Sequence, residues 1–521
     1  MKTTAFHFFP SKLQILLPAA LLLAAQGASL AQSTWTGNSS AAWNTAGNWD
    51  PAAVPGVNAS VTVDINSVLV YTLQVNTSPT LTNWSSNITG NTTIIRASGN
   101  QTLSIAGVLT KTGAASLTFR SNLTDKLTMT AGTLNLTDSV GSTITLGTTN
   151  NELSSLDITT ANVSSASGTN QLVFLGANNT ADYRIGTLNL GTNGTVVIAN
   201  GVANGEQRAI NVGSLNGAGG TVRAANGITN AGVATLNLTG TSDGSYSGTI
   251  INGNAITRLV KSGSATQTLS GNNTYTGGST LTAGTLVLAH NSAAGTAGIA
   301  VSGSSAAALQ INSGITLGNN IVFSNSNSGS SLNRLVANTA DYTVGTSGSF
   351  TSSFAGGDAD TTAKILAGTN SQGSTATLTM KFSDTSTATN DTIRTSDVFS
   401  LGGTASNAFV LQLSYTGLAA GGFLGWDNAG TWVNAVDGNT GPAGALAGAY
   451  TTSFATFLAN NGGIFNGTTM LGAYGVDTTA GSTWAVLNHN SDFAVVPEPS
   501  TWALLAGSLT FVMVMRRRRR D

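Results

Sequence analysis

A tetrapeptide that recurs about every 50 residues limits the folds open to this chain more than any other feature. It reads Thr-Leu-Asn-Leu or Thr-Leu-Val-Leu and begins at Thr133, Thr187, Thr235 and Thr285, with starts 54, 48 and 50 residues apart. Around it, Val, Ile, Leu and Thr alternate as in strands, between Gly and Asn turns, through most of residues 61–323. A period near 50 residues can correspond to two successive coils of about 25 residues each, a coil length in the range of solenoid proteins.

We therefore predict an all-β fold whose first part is a right-handed parallel β-helix. Successive tetrapeptides are expected to lie in register, with both leucines pointing inward. Gly and Asn take the positive-φ positions at the corners, and Asn side chains hydrogen-bond from coil to coil. A β-propeller is the second choice. Each of its blades needs four antiparallel strands and regular hairpins, and the sequence shows fewer hairpin signals than that.

The charge content fits a stack of coils and excludes several classes of protein. Charged residues are 8% of the chain, against about 25% in an average globular protein. Like charges stacked ~4.8 Å apart along a column would repel one another. Residues 32–496 hold 13 Lys and Arg against 19 Asp and Glu, a formal charge of −6, so we expect no nucleic-acid partner. The chain has no Cys and three His, so we predict no disulfide, no Cys-ligated zinc and no cofactor.

The pattern divides the chain into six predicted segments. Three tryptophans, Trp35, Trp43 and Trp49, lie near the start of the repeats, where we expect them to cover the open end of the solenoid rather than to stack on sugars. Past the repeats, longer and more aromatic strands between Gly, Asn and Asp turns predict an antiparallel β-sandwich-like domain. The segments are 1–31, a secretory signal peptide; 32–60, an N-terminal cap; 61–325, the β-helix; 326–365, a transition region; 366–494, the sandwich-like domain; and 495–521, a sorting signal with a short hydrophobic helix.

The N-terminus has the three parts of a secretory signal. Lys2 and Lys12 supply the positive charge, residues 13–25 the apolar stretch, and the small-x-small pattern before Gln32 places cleavage between Ala31 and Gln32. We expect export by the Sec machinery.

The C-terminus combines a rigid turn, a short apolar stretch and a basic tail. Pro497, Glu498 and Pro499 precede a stretch that runs from Trp502 to Met515. Its 14 residues would span only ~21 Å of a ~30 Å hydrocarbon layer. A basic tail follows and predicts a cytoplasmic end: Arg516, Arg517, Arg518, Arg519 and Arg520.

This end resembles the PEP-CTERM sorting signal of Gram-negative bacteria, whose members are associated with exopolysaccharide production. The resemblance implies that Pro497, Glu498 and Pro499 are recognised by an exosortase, a membrane-embedded enzyme, and that the tail is removed or exchanged. The protein would then be held in the membrane at least transiently and end in the cell envelope, at the cell surface or in the extracellular matrix. An ordinary C-terminal anchor is the alternative.

The clearest repeat unit is similar to the autotransporter-associated β-strand repeat. Residues 259–288 carry the Lys261-Ser-Gly263 opening, a Leu-Ser-Gly-Asn-Asn-Thr-Tyr-Thr-Gly centre that ends at Gly277, and the Gly-Thr-Leu close that begins at Gly284. The resemblance implies an extracellular β-helical stalk.

The residues supply few groups for catalysis, and we predict no catalytic, cofactor-binding or metal-binding residue. Asp358 and Asp360 have the spacing of a carboxylate pair or a weak Ca²⁺ site, but their Gly-rich context favours a loop. His489 is favoured as a turn or edge residue over a catalytic base. We expect a non-enzymatic surface or matrix protein of structural or adhesive type, with polysaccharide as a further partner.

Two other interpretations stay open. One is a β-helical polysaccharide lyase or hydrolase, which would need two carboxylates, or Asp residues with an Arg or Lys, in one lateral groove. The other is a passive spacer without a ligand.

Overall fold

The computed structural model describes residues 32–497 except 38–39, 66–69, 123, 148–152, 175–181, 199–206, 225–231, 303–306, 313–314, 316, 320, 326–332, 339–349, 355–360, 369–376, 384–387, 390, 404–406 and 416–421. The protein is mostly β and 5% helical, and its main body is a parallel β-solenoid of about 13 turns. The predicted parallel solenoid is therefore confirmed.

The strands are short, and most alternate buried side chains with half-buried ones. The first 28 are β1 (Gln32–Trp35), β2 (Trp49–Asp50), β3 (Ala59–Thr62), β4 (Tyr71–Val75), β5 (Thr80–Asn87), β6 (Thr93–Ala97), β7 (Gln101–Thr112), β8 (Ser116–Arg120), β9 (Leu127–Leu136), β10 (Thr143–Leu146), β11 (Ser155–Val163), β12 (Asn170–Phe174), β13 (Asp182–Leu190), β14 (Gly194–Ile198), β15 (Gln207–Asn216), β16 (Thr221–Ala224), β17 (Val233–Leu238), β18 (Gly244–Tyr246), β19 (Thr249–Ile251), β20 (Ile256–Lys261), β21 (Thr266–Leu269), β22 (Ser279–Leu281), β23 (Gly284–Leu288), β24 (Ile299–Ser302), β25 (Ala307–Ile311), β26 (Ile321–Asn325), β27 (Asn333–Asn338) and β28 (Phe350–Phe354).

The strands that follow are β29 (Thr361–Gly368), β30 (Thr377–Ser383), β31 (Val398–Gly402), β32 (Phe409–Tyr415), β33 (Gly422–Asp427), β34 (Trp432–Asn434), β35 (Gly448–Tyr450), β36 (Ala473–Asp477), β37 (Ser482–Leu487) and β38 (Ser491–Pro497). The helix α1 covers Phe454–Asn460, and 3-10 turns lie at Ala46–Asn48, Asp391–Ile393 and Ala435–Gly438.

The solenoid strands form three parallel sheets. Sheet A stacks β1, β3, β5, β7, β9, β11, β13, β15, β17, β20, β22, β24, β26 and β28; sheet B stacks β4, β6, β8, β10, β12, β14, β16 and β19; sheet C stacks β18, β21, β23, β25 and β27. Coil length varies along the stack. Thr133 pairs with Thr160 and Thr160 with Thr187, whereas Ser279 pairs with Ile299, so the coil after β22 is shorter than those around β11.

Three of the four tetrapeptides lie in one register. The first two share their columns through Thr160–Val163 of β11. The fourth joins the same columns through sheet C, because Leu288 pairs with Leu269, Leu269 with Tyr246, and Tyr246 is bridged to Gly217, the residue that follows β15. The predicted common register is confirmed for these three.

The prediction is wrong for the tetrapeptide that begins at Thr235. That residue pairs with Ala209, and Leu238 pairs with Val212, in the first half of β15 rather than in its second half. Each long strand of sheet A has two halves, and both present the same inward and outward alternation. Sequence spacing alone does not distinguish the halves.

The core consists of columns of aliphatic side chains inside the coils. One column holds Leu134, Ala161, Leu188 and Leu215, each with 0% exposure. This is the inward stacking that the leucines of the repeat predict.

Beyond the solenoid, sheets A and C continue with antiparallel strands. Sheet A gains β29, β32, β37 and β36, while sheet C gains β30, β31, β38, β33 and β34. The two extensions face each other across a core that includes Phe399, Phe409, Leu411, Leu487 and Phe493. This arrangement has the layers of the predicted sandwich, and its sheets run on directly from the solenoid.

Several predicted site residues lie outside the described residues. These are Ala31, Asp358, Asp360, Glu498, Pro499, Trp502, Met515 and the basic tail from Arg516 to Arg520. Gln32 begins β1 and Pro497 ends β38, where it pairs with Gly422. In the part of the chain that the structure describes, no helix is long and apolar enough to cross a membrane.

Candidate functional site

The outward face of sheet A carries two polar ladders across neighbouring coils. Thr133, Thr160 and Thr187 stack in one column, and the Asn residues two positions later stack beside them. Asn162 Nδ2 donates to Asn135 Oδ1 at 2.8 Å, and Asn189 Nδ2 donates to Asn162 Oδ1 at 2.8 Å. The predicted coil-to-coil Asn hydrogen bonds are therefore present. We call these six residues the Thr/Asn ladder.

A glycine kink separates the two halves of β7, β9, β13 and β15, whereas β11 has Thr159 at that place. In the pairing of β11 with β13 the register passes from Ile158–Ile185 to Thr160–Thr187, so Gly186 lies at the kink. A Cβ on Gly186 would lie 2.6 Å from Thr159 O, closer than real Cβ atoms approach a carbonyl oxygen. Gly is therefore required there by the close approach of the coil below.

The kinks of successive coils form a lateral cavity of about 390 Å³ on the outer face. We call it the outer groove; residues that line it include Asp157, Thr159, Arg184, Asn211, Gly213 and Ser242.

Charged and amide groups face the outer groove. Asp157 pairs in register with Arg184 on the next coil, and both are exposed. Asn211 Nδ2 donates to Asp182 Oδ1 at 3.0 Å, and Asn237 Nδ2 donates to Asn211 Oδ1 at 3.0 Å. The groove therefore presents hydrogen-bond donors and acceptors to a hydroxyl-rich ligand. Sequence reasoning missed it, because its members lie on different coils and meet only through the coil register.

The lysines of the Lys-x-Gly pattern are buried, which sequence reasoning did not foresee. Lys111 is 0% exposed and Lys261 is 2% exposed. Lys111 Nζ donates to Thr112 O at 2.7 Å and to Gly113 O at 2.5 Å, and Lys261 Nζ donates to Gly263 O. Burial lowers the pKa of each lysine from 10.5 to about 8, partly offset by a nearby aspartate. The Lys-x-Gly pattern thus places an ammonium group against the carbonyls of a corner.

Other signature residues of the repeat unit at residues 259–288 also point inward. Asn273 is fully buried, accepts from Ile250 N at 2.7 Å and donates to Ala293 O at 2.6 Å. The fully buried Tyr275 hydroxyl lies 2.6 Å from Ser279 Oγ, and burial raises the pKa of this tyrosine. These side chains hold one coil to the next, and the ligand-facing positions are the outward ones.

Gln267 replaces a missing stretch of backbone pairing. Its amide is 2% exposed, donates to Leu215 O at 2.8 Å and accepts from Leu215 N at 3.2 Å. Gly244 lies between these two coils, and a Cβ there would collide with Gln267 Oε1. The side chain reaches past the glycine and completes the hydrogen bonding of the strand two coils away.

The tryptophans are structural, as expected. Trp35, Trp43 and Trp49 are 3%, 0% and 2% exposed, and the ring centroids of Trp43 and Trp49 lie 4.6 Å apart, edge to face. Trp43 also stacks on Trp84 at 5.7 Å. In the antiparallel region Trp484 is fully buried and donates from Nε1 to a backbone carbonyl at 2.8 Å.

The His489 ring is held in place by a hydrogen bond to a backbone carbonyl and by contacts with two aromatic rings. Its Nε2 lies 2.8 Å from Ala435 O, which requires a proton on Nε2. The ring packs edge to face against Trp426 at 4.9 Å and at a tilt against Phe493 at 5.4 Å. Burial lowers its pKa from 6.5. Among the described residues no three His, Cys, Asp or Glu side chains come together as a metal site.

The comparison with protein families agrees with the repeat signature. Residues 259–288 match the model of the passenger-associated-transport-repeat family. The predicted autotransporter-associated β-strand repeat is therefore confirmed for this segment. No curated protein and no solved structure matches the chain.

Proposed function

We propose that this protein is an exported, non-enzymatic surface or extracellular-matrix protein of structural or adhesive type. The observation that carries the proposal is the stack of parallel coils with the Thr/Asn ladder on its outward face. A stack of this kind repeats the same hydroxyl and amide groups every ~4.8 Å. The match of one unit to a passenger-associated repeat supports a location outside the cell.

We propose that the N-terminus of the chain directs export and that its C-terminus directs sorting. The signal peptide would direct the chain to the Sec machinery, with cleavage between Ala31 and Gln32. Pro497, Glu498 and Pro499, with the apolar stretch and basic tail, would act as a PEP-CTERM signal for an exosortase-type enzyme. Mass spectrometry of the protein from its native envelope tests this. An end near Pro499 supports processing, and an intact arginine tail contradicts it.

Polysaccharide is the proposed ligand of the outward face. Repeated weak contacts along one solenoid add up to useful avidity, and the outer groove adds donors and acceptors that suit sugar hydroxyls. The test is retention of the full-length chain, purified in a neutral detergent, on the host's extracellular polysaccharide. We expect weaker retention of Thr160→Val, which removes one ladder hydroxyl, and unchanged retention of Thr479→Val, which alters an exposed turn. No retention of the wild-type chain above a scrambled-sequence control would end the proposal.

One observation favours the enzymatic alternative as a second candidate. Asp157 and Arg184 share the outer groove on adjacent coils, which supplies one carboxylate and one cation of the set that a β-helical lyase or hydrolase would need. Incubation of the host polysaccharide with the wild-type chain and with Asp157→Asn tests it. Cleavage by the wild-type chain that is lost in Asp157→Asn would establish the enzyme.

A further inference from the structure

Two arginines stack on neighbouring coils of sheet B. Arg96 of β6 pairs in register with Arg120 of β8, and both lie on the outward side of the sheet. Neighbouring parallel strands are ~4.8 Å apart, so the two cations repel each other. Among the in-register pairs of the described strands, this is the one in which both side chains carry the same charge. Two like charges therefore stack in one column here, although the chain has few charges and such stacking is unfavourable.

Neither arginine is neutralised in the part of the chain that the structure describes. The Nε atoms of both are buried without a hydrogen-bond partner, and neither guanidinium has an ion pair there. The in-register neighbour of Arg96 on its other side is Gln74, and Gly147 follows Arg120 in the next coil. The nearest acid along the chain, Asp125, accepts hydrogen bonds within its own loop.

We propose that the Arg96–Arg120 pair binds the carboxylate groups of an acidic polysaccharide. Each guanidinium offers a planar fork that matches a carboxylate, and hydrogen bonds of this kind are stronger than those between neutral groups. Gln74, one coil away in the same column, supplies an amide for an adjacent sugar hydroxyl. The inference rests on the proposed polysaccharide contact and adds the charge class of the ligand.

The net charge of residues 32–496 favours an acidic glycan over other polyanions as the ligand. Residues 32–496 carry a formal charge of −6, so a densely charged phosphate backbone or an anionic membrane is repelled at long range. A glycan with spaced carboxylates can reach a local pair of arginines with less repulsion. The pair therefore favours a uronic-acid polymer.

The proposal predicts opposite effects on binding and on stability. Removal of one cation relieves the repulsion in the unliganded protein, so Arg96→Gln and Arg120→Gln should each raise the melting temperature at low salt. The same variants should weaken binding, because each removes a charged donor. An arginine with a purely structural role would show a lower melting temperature on substitution.

The experiment uses the full-length chain in a neutral detergent and polygalacturonate as the probe. Its carboxyl-reduced, neutral form is the matched ligand, and Arg258→Gln, an arginine of sheet A paired with Thr235, is the matched variant. We expect wild-type binding that weakens with salt, a loss of about tenfold or more in Arg96→Gln and Arg120→Gln, and no change in Arg258→Gln.

The outcomes distinguish this inference from the proposed function. If the wild-type chain is retained by the host's polysaccharide but the two variants bind polygalacturonate as the wild type does, the arginine site is wrong and the proposed function stands. Equal binding to the neutral form, or preference for DNA or anionic vesicles, would also overturn it. If the wild-type chain binds no polysaccharide at all, the proposed polysaccharide contact fails and the arginine site with it.

Discussion

Gln267 allows a sharp test of how the coils are held together. Its amide makes two hydrogen bonds to the backbone of Leu215, across the gap that Gly244 leaves. In Gln267→Leu the side chain keeps its approximate size, but Leu215 N–H and C=O lose their partners. An unsatisfied buried polar group costs about 1–3 kcal/mol, so the two together should reduce the free energy of unfolding by about 2–6 kcal/mol.

The assay combines urea unfolding with hydrogen exchange. Gln310→Leu is the control, because Gln310 lies in the same sheet, is half-buried and, among the described residues, its side chain bonds to the nearby Asn312 side chain alone, at 3.3 Å. It should change the free energy of unfolding by less than about 0.5 kcal/mol. The Leu215 amide should exchange faster in Gln267→Leu and at the wild-type rate in Gln310→Leu. Equal stability of both variants, with Leu215 still protected, would refute the backbone-completing role.

Three further predictions follow from the core and the kinks. Because the pKa of Lys261 falls from 10.5 to about 8 on folding, the unfolded chain binds more protons between these values. The contribution of Lys261 to the free energy of unfolding should therefore rise from pH 8 to pH 10.5, and Lys261→Met should reduce the pH dependence in urea titrations without abolishing it, because Lys111 has the same shift. Gly186→Ala should destabilise the fold, since its Cβ would lie 2.6 Å from a carbonyl oxygen, whereas Gly56→Ala, with nothing within 4 Å, should not. Leu188→Ala should cost about 2–5 kcal/mol in thermal or urea unfolding, because that side chain is fully buried in a core column.

The alternation of the sequence predicts the coil and the Asn ladder because both depend on local pattern. An outward Asn recurs at one place in successive coils, at Asn135, Asn162 and Asn189, and parallel stacking brings these side chains into contact. The predicted register of the tetrapeptide that begins at Thr235 is wrong, because either half of a long strand satisfies the same alternation.

The remaining features depend on contacts between coils. A lysine is ordinarily an exposed residue, and only the folded corner shows why Lys261 is buried. Gln267 reaches a residue 52 positions earlier. Arg96 and Arg120 are separated along the chain by one local coil length, so their pairing follows only once the register is known.

Distances between spin labels test the stacked register most directly, since the chain has no native cysteine. Thr133 and Thr285 lie in the same column six coils apart, and Thr187 and Thr285 lie four coils apart. Labels on the double variants Thr133→Cys/Thr285→Cys and Thr187→Cys/Thr285→Cys should be separated by ~29 Å and ~19 Å, at ~4.8 Å per coil. The two distances should differ by the length of two coils. Distances that do not increase with the number of coils, as in a ring of blades, would contradict the solenoid register on which the proposed function depends.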